Sequence, residues 1–232
     1  MTAAPSTLRE RKKAATREAL QAAALRLAVR DGLDALTVEA IAEAVDVSPR
    51  TFFNYFGSKE EALLPSDEAR HVELQQAITA RPADEPPLEA LHAVIRALAV
   101  QISDRREETT LRMQLVRENP SLLPRHLANF ATFERVLVEA IAARTGLDPA
   151  RDLYPSLAAT AAVGALRSAS QLWRNAADSE QGTASVPDLG ELVDDAFREL
   201  AAGLPALSSR QSAAPHETNP QITIPLPSET SA

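Results

Sequence analysis

Several residue types that support particular functions are absent or scarce in this 232-residue chain. It contains no cysteine, which excludes disulfides, thiolate metal sites and a cysteine nucleophile. Only 7 glycines and 4% aromatic residues accompany 44 alanines, a composition that favours helix over sheet. No run approaches the roughly 18 apolar residues of a membrane span, and the N-terminus lacks the apolar region of a secretory signal. We therefore expect a soluble, helical, cytoplasmic protein without a membrane partner.

The acidic charge of the chain is unevenly distributed. The formal net charge is −8, which argues against a nucleic-acid partner, because affinity for DNA rests largely on cations that meet phosphates. Residues 7–30, however, hold seven cations against two carboxylates, whereas the chain after them is acidic. Arg9, Lys13 and Arg17 are spaced four apart and would share one side of a helix. Alone, such a segment is often only a solvated helix face, so it needs a second signal.

That second signal comes from three helix starts within about 25 residues. Thr37 is a good N-cap for the helix that follows it. Ser48 and Pro49 predict a second helix start, with the serine as N-cap and the proline at the first helical position. Ser58 and Glu61 have the spacing of a capping box. The helices between these starts must be very short.

The segment from Val38 to Phe56 has the pattern of a helix-turn-helix unit, whose second helix enters the major groove of DNA. Ala42 is the small residue that lets the two helices cross closely, and Asp46 lies in the turn, where a residue tolerant of left-handed φ is needed. Apolar residues at the contact positions between the helices are Ile41, Val45, Val47 and Phe52. We expect Phe52 and Phe56 to face the core rather than stack on bases.

The run from Thr37 to Leu63 resembles the TetR family of transcriptional regulators, most specifically in the closing sequence Phe-Phe-Asn-Tyr-Phe-Gly-Ser-Lys-Glu. The resemblance covers about residues 8–64. Two residues depart from the family pattern: Asp46 replaces the usual turn glycine, and Phe53 replaces a common tyrosine, so no phosphate contact through that hydroxyl is possible. The resemblance implies an all-α protein with an N-terminal three-helix helix-turn-helix DNA-binding domain and a C-terminal helical ligand-binding and dimerisation bundle.

The resemblance also assigns roles to residues of the DNA-binding domain. Residues 49–55 would form the recognition helix, with Arg50 as the base reader, since a guanidinium pairs bidentately with guanine, or as a phosphate clamp instead. Asn54 would read adenine or contact the backbone, and Lys59 would contact phosphate or remain an exposed lysine. The residues expected to touch DNA are Arg9, Lys12, Lys13, Arg17, Thr37, Ser48, Pro49, Arg50, Thr51, Asn54, Tyr55 and Lys59. Among them the hydroxyls would bind phosphate, and the four cations of the first helix would supply charge neutralisation rather than sequence readout.

Four segments are expected along the chain: a DNA-binding domain at 1–64, a connecting helix and linker at 65–87, an effector-binding and dimerisation domain at 88–205, and a disordered tail at 206–232. Periodicity predicts that the longer helices of the C-terminal part occupy roughly 88–103, 105–118, 121–145, 150–177 and 188–203.

A symmetric dimer on a palindromic operator is expected, because one short recognition helix buries too little DNA surface for tight binding. The small residues of 156–169 indicate a close helix–helix contact, either between subunits or within one. The residues predicted for the dimer face are Ala158, Ala162, Ala165, Ala169, Val193, Phe197 and Leu200.

The resemblance further implies a pocket for a small-molecule effector within about 88–177. Large or polar residues that could line it are Arg112, Met113, Arg117, Phe130, Phe133 and Trp173, although each such residue is more often core or surface.

Enzymatic chemistry is not expected. The four histidines lack metal-ligand spacing to one another, and neither a phosphate-binding glycine loop nor a nucleophile motif occurs, so we expect no metal and no cofactor. Two other readings stay open: a nucleoid-type DNA binder without a ligand switch, and a dimeric helical ligand-binding protein whose DNA head is vestigial. The acidic composition counts against the first, and the intact basic segment counts against the second.

Overall fold

The computed structural model describes residues 8–65, 68–178 and 188–204, and these residues form helices without any strand. Within them the order of elements is α1 Leu8–Asp31, α2 Val38–Glu43, α3 Pro49–Phe53, α4 Lys59–Leu63, α5 Glu68–Thr79, α6 Pro87–Asp104, α7 Arg106–Glu118, a 3-10 turn Pro120–Leu122, α8 Leu123–Thr145, α9 Leu153–Asp178 and α10 Leu189–Ala201. The predicted all-α class is confirmed. None of the described helices is long and apolar enough to cross a membrane. The tail predicted at 206–232 lies outside the described residues.

The three predicted helix starts are present with their caps. The side chains of Thr37, Ser48 and Ser58 each accept a hydrogen bond from the backbone N–H three residues ahead, at 3.1, 3.1 and 3.2 Å. The capping box differs in one bond, since Glu61 Oε2 accepts from the backbone N–H of Gly57, at 2.8 Å, instead of from Ser58. These local bonds satisfy amides that short helices would otherwise leave unpaired.

An N-terminal hydrophobic cluster contains buried residues of α1, α2, α3 and α4 and holds the helix-turn-helix together. Phe52 and Phe56 are 0% and 1% exposed, as expected of core residues. Leu115 and Val116 of α7 pack in this same cluster, although both lie within the predicted C-terminal domain. Helix α7 therefore belongs to the core of the N-terminal part at one end.

A second cluster contains the apolar faces of α5, α6, α8, α9 and α10. Leu74 and Ile78 of α5 are part of it, so the segment predicted as a connecting helix and linker is packed into the C-terminal bundle. The loop after α5 is also tied down, because the guanidinium of Arg144 donates to the carbonyls of Arg81 and Glu85 at 3.0 and 2.6 Å. The linker prediction is corrected accordingly: residues 81–86 are a bound loop of the bundle.

Candidate nucleic-acid interface and ligand cavity

The turn of the helix-turn-helix is built on Asp46, whose φ of 55° places it in the left-handed region. Aspartate is among the few residues other than glycine that visit this region readily, which explains how it stands in for a turn glycine. The amide of Val47 then donates to the carbonyl of Ala42 at 3.0 Å and closes the turn. Ala42 and Ile41 are completely buried beneath it, so the predicted small contact and apolar contact are confirmed.

The recognition helix is shorter than predicted. It runs over Pro49–Phe53, and Asn54 and Tyr55 follow in a turn in which their amides donate to the carbonyls of Thr51 and Phe52. Phe52 anchors the helix from inside, whereas Pro49, Arg50 and Asn54 are exposed. The side chains expected to read bases are thus presented to solvent on a rigidly anchored turn of helix.

A cleft of about 710 Å³ separates the start of α1 from the recognition helix. It is lined by Leu8, Arg9, Lys12, Lys13, Thr16, Thr51, Asn54 and Tyr55. Three of these eight residues are cations and none is a carboxylate, so the cleft attracts phosphate. The structure therefore brings together predicted residues that lie up to 46 positions apart in the chain, from Arg9 to Tyr55.

Sequence reasoning missed Thr16 in this cleft. Its hydroxyl donates to the carbonyl of Lys12 at 3.0 Å. The signal was available, because Thr16 lies four residues after Lys12 and hence on the same side of α1. Thr51 lies at the other wall, and its hydroxyl shares one hydrogen bond with that of Ser48, 2.9 Å away and outside the lining of the cleft. Thr37 is exposed at the start of α2.

Arg17 does not belong to the exposed basic set. Its Nη1 donates to the carbonyl of Tyr55 at 3.3 Å, and its guanidinium carbon lies 4.7 Å from the centre of the Phe56 ring. A cation over an aromatic face is attracted to the ring quadrupole. Arg17 thus fastens the segment after the recognition helix to α1, and its predicted role in neutralising DNA charge stays a prediction.

Lys59 is similarly engaged within the fold. Its Nζ donates to the carbonyl of Leu33 at 3.0 Å and to that of Leu36 at 2.8 Å. Two of the three ammonium N–H groups therefore bind the loop between α1 and α2. The predicted phosphate contact stays a prediction that concerns the third N–H alone.

A second cavity consists of two adjoining lobes of about 340 and 420 Å³. Helices α6, α7 and α8 line both lobes, whereas α5 lines the smaller lobe and α9 the larger one. The residues shared by both lobes are Leu98, Ile102, Thr109, Met113, His126, Asn129 and Phe133. Of the predicted pocket residues, Met113 and Phe133 line both lobes, Arg112 lines one and Phe130 the other. Apolar side chains share the lining with polar and charged ones, which include Arg70, Arg105, Glu108 and Arg112 in one lobe and Arg167, Ser170, Gln171 and Arg174 in the other. A concave site that combines both kinds of group suits a small molecule.

Two predicted pocket residues are placed elsewhere. Trp173 is 2% exposed in the C-terminal core, with the guanidinium of Arg106 4.7 Å from its ring centre. Arg117 is exposed and lines neither lobe. Both predictions are corrected, because size and polarity alone do not show which side of a helix faces a cavity.

His126 and Asn129 are two of the polar cavity residues that sequence reasoning missed. Their spacing to Phe130 and Phe133 places all four on one side of α8, which is the signal that could have revealed them. Burial, and then the positive charge of Arg174, lower the pKa of His126 below its ordinary value. The cavity therefore holds this imidazole in its neutral form at neutral pH.

Comparisons with known proteins decide the family. The sequence profile of bacterial regulatory proteins of the tetR family matches residues 20–64, and the profile of the MftR C-terminal domain matches residues 85–205. The chain belongs to the TetR family of transcriptional regulators. It is similar to the HTH-type transcriptional regulator TcmR of Streptomyces glaucescens, with 38% identity over 187 residues that cover 77% of this chain and 82% of TcmR.

Solved structures of the same fold are more distant in sequence. The fatty acid degradation regulator FadR from Bacillus halodurans matches with a TM-score of 0.52 at 17% identity, over 88% of this chain and 98% of FadR. A Clostridium perfringens putative fatty acid metabolism regulator matches with a TM-score of 0.52 at 18% identity, over 81% of this chain and 99% of that one. At these identities the likeness establishes the shared fold.

The dimer face predicted for this TetR-family regulator is wrong in its residues. Ala158, Ala162, Ala165 and Ala169 are at most 7% exposed, and Val193 and Phe197 at most 3%, all within the core of a single chain. Leu200 packs against the same core and is half-buried. These residues join α9 and α10 to their own bundle, which is the intramolecular alternative that the sequence left open.

Proposed function

We propose that this TetR-family regulator is a cytoplasmic dimeric repressor that binds a palindromic operator and is released by a small molecule in the cavity. The observation that carries the proposal is the position of α7. Its residues Thr109 and Met113 line the cavity, while Leu115 and Val116 pack in the core of the DNA-binding domain. One helix thus touches both the site for an effector and the unit that binds DNA.

DNA binding is assigned to the cleft and the recognition helix. Arg9, Lys12 and Lys13 bind phosphates on one side of the cleft, and Arg50 reads a base from the exposed side of α3. Asn54 and Tyr55 contact the backbone or a base edge from the turn after α3. The hydroxyls of Thr37, Ser48 and Thr51 and the backbone around Pro49 supply further phosphate contacts, and Lys59 supplies one through its remaining N–H.

The effector is assigned to the two-lobed cavity. Its larger lobe, about 420 Å³, falls in the range of roughly 300–1,000 Å³ that drug-sized ligands occupy. Phe130, Phe133 and Leu166 offer apolar contact, while His126 and Asn129 offer hydrogen bonds. We infer a predominantly apolar effector that carries a few polar groups.

The dimer is assigned to the solvent-facing side of α9. Residues at helical spacing form an uninterrupted stripe there, which comprises Leu153, Leu157, Ala161, Gly164, Ser168 and Leu172. Leu153, Leu157 and Leu172 are 75%, 58% and 59% exposed, a high value for large apolar side chains in one row. A Cβ built on Gly164 meets no atom within 4 Å, so packing within the chain does not require this glycine. A second copy of α9 approaching at the small residues explains both features.

Selection of duplexes from a random pool, using the full-length chain, tests the DNA-binding part of the proposal. The expected result is a palindrome whose half-sites are separated by about one helical turn, roughly 10 base pairs. Arg50→Ala should relax the preference at one base pair of each half-site, whereas Arg135→Ala, on the exposed side of α8, should leave every position unchanged. Enrichment of no sequence at all would favour the vestigial reading, and specific binding that no small molecule alters would favour a nucleoid-type protein.

Sedimentation of two matched variants tests the dimer. Leu157→Glu should convert the dimer to a monomer and weaken operator binding, because a charge then stands in the stripe. Leu127→Glu is the control, since Leu127 on α8 is 57% exposed but lies outside the stripe. A dimeric Leu157→Glu variant would contradict the assignment of this face.

A further inference from the structure

The last helix of the DNA-binding domain ends with carbonyl groups that the helix itself does not satisfy. Helix α4 stops at Leu63, and Leu64 adopts φ −123° and ψ 70°, outside the helical region. Pro65 follows and has no N–H to donate, so the helical hydrogen-bond pattern cannot continue through it. The carbonyls of Leu63 and Leu64 are therefore available to donors from elsewhere in the fold.

Three side chains of α7 and α8 bind these two carbonyls. The guanidinium of Arg112 donates to Leu63 O, while Arg125 Nε and Asn129 Nδ2 donate to Leu64 O at 3.3 and 3.0 Å. We call Arg112, Arg125 and Asn129 the carbonyl clamp. The clamp joins the end of the DNA-binding domain to the helices of the C-terminal bundle through side chains, where a continuous helix would use its backbone.

Two members of the clamp also form the wall of the cavity. Asn129 lines both lobes and Arg112 lines the lobe that reaches Leu64 and Pro65. The Arg112 side chain is only 13% exposed and has a second bond, to Glu108 Oε1, at 2.5 Å. Arg125 lines neither lobe, and its guanidinium lies 3.5 Å from Glu61 Oε1 of α4. Two of the three donors that hold α4 are thus within reach of whatever occupies the cavity.

Resting on the proposed function, we propose that the carbonyl clamp is the device through which cavity occupancy lowers operator affinity. An occupant that accepts the donors of Asn129 and Arg112 takes them from the carbonyls of α4, which water then solvates. Helix α4, whose Leu63 is buried in the N-terminal core, is then no longer held to the bundle in the orientation that suits the operator. Couplings between two sites typically change affinity by factors of about 5 to 150, and the effect is reciprocal.

The cysteine-free chain allows cavity occupancy to be imposed without knowing the effector. Thr109→Cys places one thiol at the wall shared by both lobes. Sodium 2-sulfonatoethyl methanethiosulfonate then attaches a short chain there as a mixed disulfide, and its sulfonate oxygens can accept the donors of Asn129 and Arg112. Dithiothreitol removes the label. Gln114→Cys is the control, because Gln114 lies on the same helix, is exposed and lines neither lobe. The measured quantity is the ratio of operator dissociation constants with and without the label.

We expect the label to raise the operator dissociation constant at least about tenfold in Thr109→Cys and less than about twofold in Gln114→Cys. Adding Asn129→Leu, which removes the donor but keeps the size, should reduce the tenfold ratio to below about twofold. Arg125→Met should reduce it as well, even though Arg125 does not line the cavity. Circular dichroism of each variant establishes that it is folded, and the Arg125 variant carries the test if the Asn129 variant is not.

Two results would overturn the clamp: a labelled Thr109→Cys chain that binds operator as the unlabelled one does, or a ratio that both clamp variants leave unchanged. Failure of the proposed function itself is separate, because the unlabelled wild-type chain would then enrich no operator from the random pool. Arg135→Met, which removes an exposed guanidinium of α8 paired with Glu139, should leave the ratio at its full value.

Discussion

Lys59 gives the sharpest test of a role that the tertiary structure changed. Its ammonium group bridges from the start of α4 to the loop after α1 through two bonds, to Leu33 O and Leu36 O. Lys59→Met keeps most of the aliphatic stem and removes both bonds. The carbonyls of Leu33 and Leu36 then lack this donor. Both lie in the loop between α1 and α2, which leads into the helix-turn-helix.

The magnitude follows from the number and setting of the bonds. A hydrogen bond to a charged group contributes about 1.5–3 kcal/mol when shielded from water, and the half-exposed setting of Lys59 lowers this to about 1 kcal/mol each. We expect Lys59→Met to lower the free energy of unfolding by about 2 kcal/mol. For a chain of this size that corresponds to a fall of about 4–8 °C in Tm.

Lys13→Met is the matched comparison, because Lys13 is an exposed lysine of the DNA cleft. Calorimetry should show an unchanged Tm for Lys13→Met. Its operator binding should lose about two units of salt dependence, because each subunit of the dimer loses one phosphate contact. The same salt titration of Lys59→Met measures whether its third N–H also contacts phosphate. An unchanged Tm in Lys59→Met would refute the bridging role.

Three further predictions concern the core, the turn and the cavity. Phe52→Ala should destabilise the N-terminal cluster by about 3–5 kcal/mol, because it empties a fully buried position. The expected readouts are the loss of operator binding and the loss of an unfolding transition in guanidinium, and retention of both would contradict that packing. Asp46→Gly should raise the free energy of unfolding by about 0.5 kcal/mol. The left-handed conformation costs a residue with a Cβ about 1–2 kcal/mol, and the larger entropy that glycine loses on folding cancels only part of this gain. A lower Tm would contradict the prediction. His126 should make stability fall as pH decreases through the ordinary histidine pKa toward its lowered pKa in the fold, because the unfolded chain then binds the proton more readily. His126→Gln should flatten the Tm profile between pH 7.5 and 5, and an unchanged profile would contradict this origin.

The helix-turn-helix could be predicted closely because its signals are local. Thr37, Ser48 and Ser58 cap helices through amides only three residues away, and Asp46 adopts its turn conformation through its own backbone preference. The end of the recognition helix was predicted two residues too late, since nothing in the sequence of a five-residue helix marks where its last hydrogen bond forms.

Cations were harder to place than apolar residues. Arg9, Lys13 and Arg17 repeat every four residues on α1, yet Arg9 and Lys13 line the cleft while Arg17 turns to Phe56 and Tyr55. The difference arises because the helix-turn-helix covers α1 at Arg17 and leaves its first turns exposed. Periodicity gives the side of a helix, and only the neighbouring elements decide where along that side the solvent ends.

By itself, the sequence determined the helices, the turn, the basic start of α1 and the family. These depend on caps, backbone preferences and residue spacing within a few positions. Only the tertiary structure decided which side of α9 faces the core, because both sides carry small and apolar residues: Ala158 and Ala162 on the buried side, Leu157 and Gly164 on the exposed one. It likewise decided that Arg112 and Asn129 meet the carbonyls of α4, since that contact joins residues 49 and 65 positions apart. Local interactions determine whether a helix forms, whereas contacts with residues distant in the chain determine which side of the helix is buried and which is exposed.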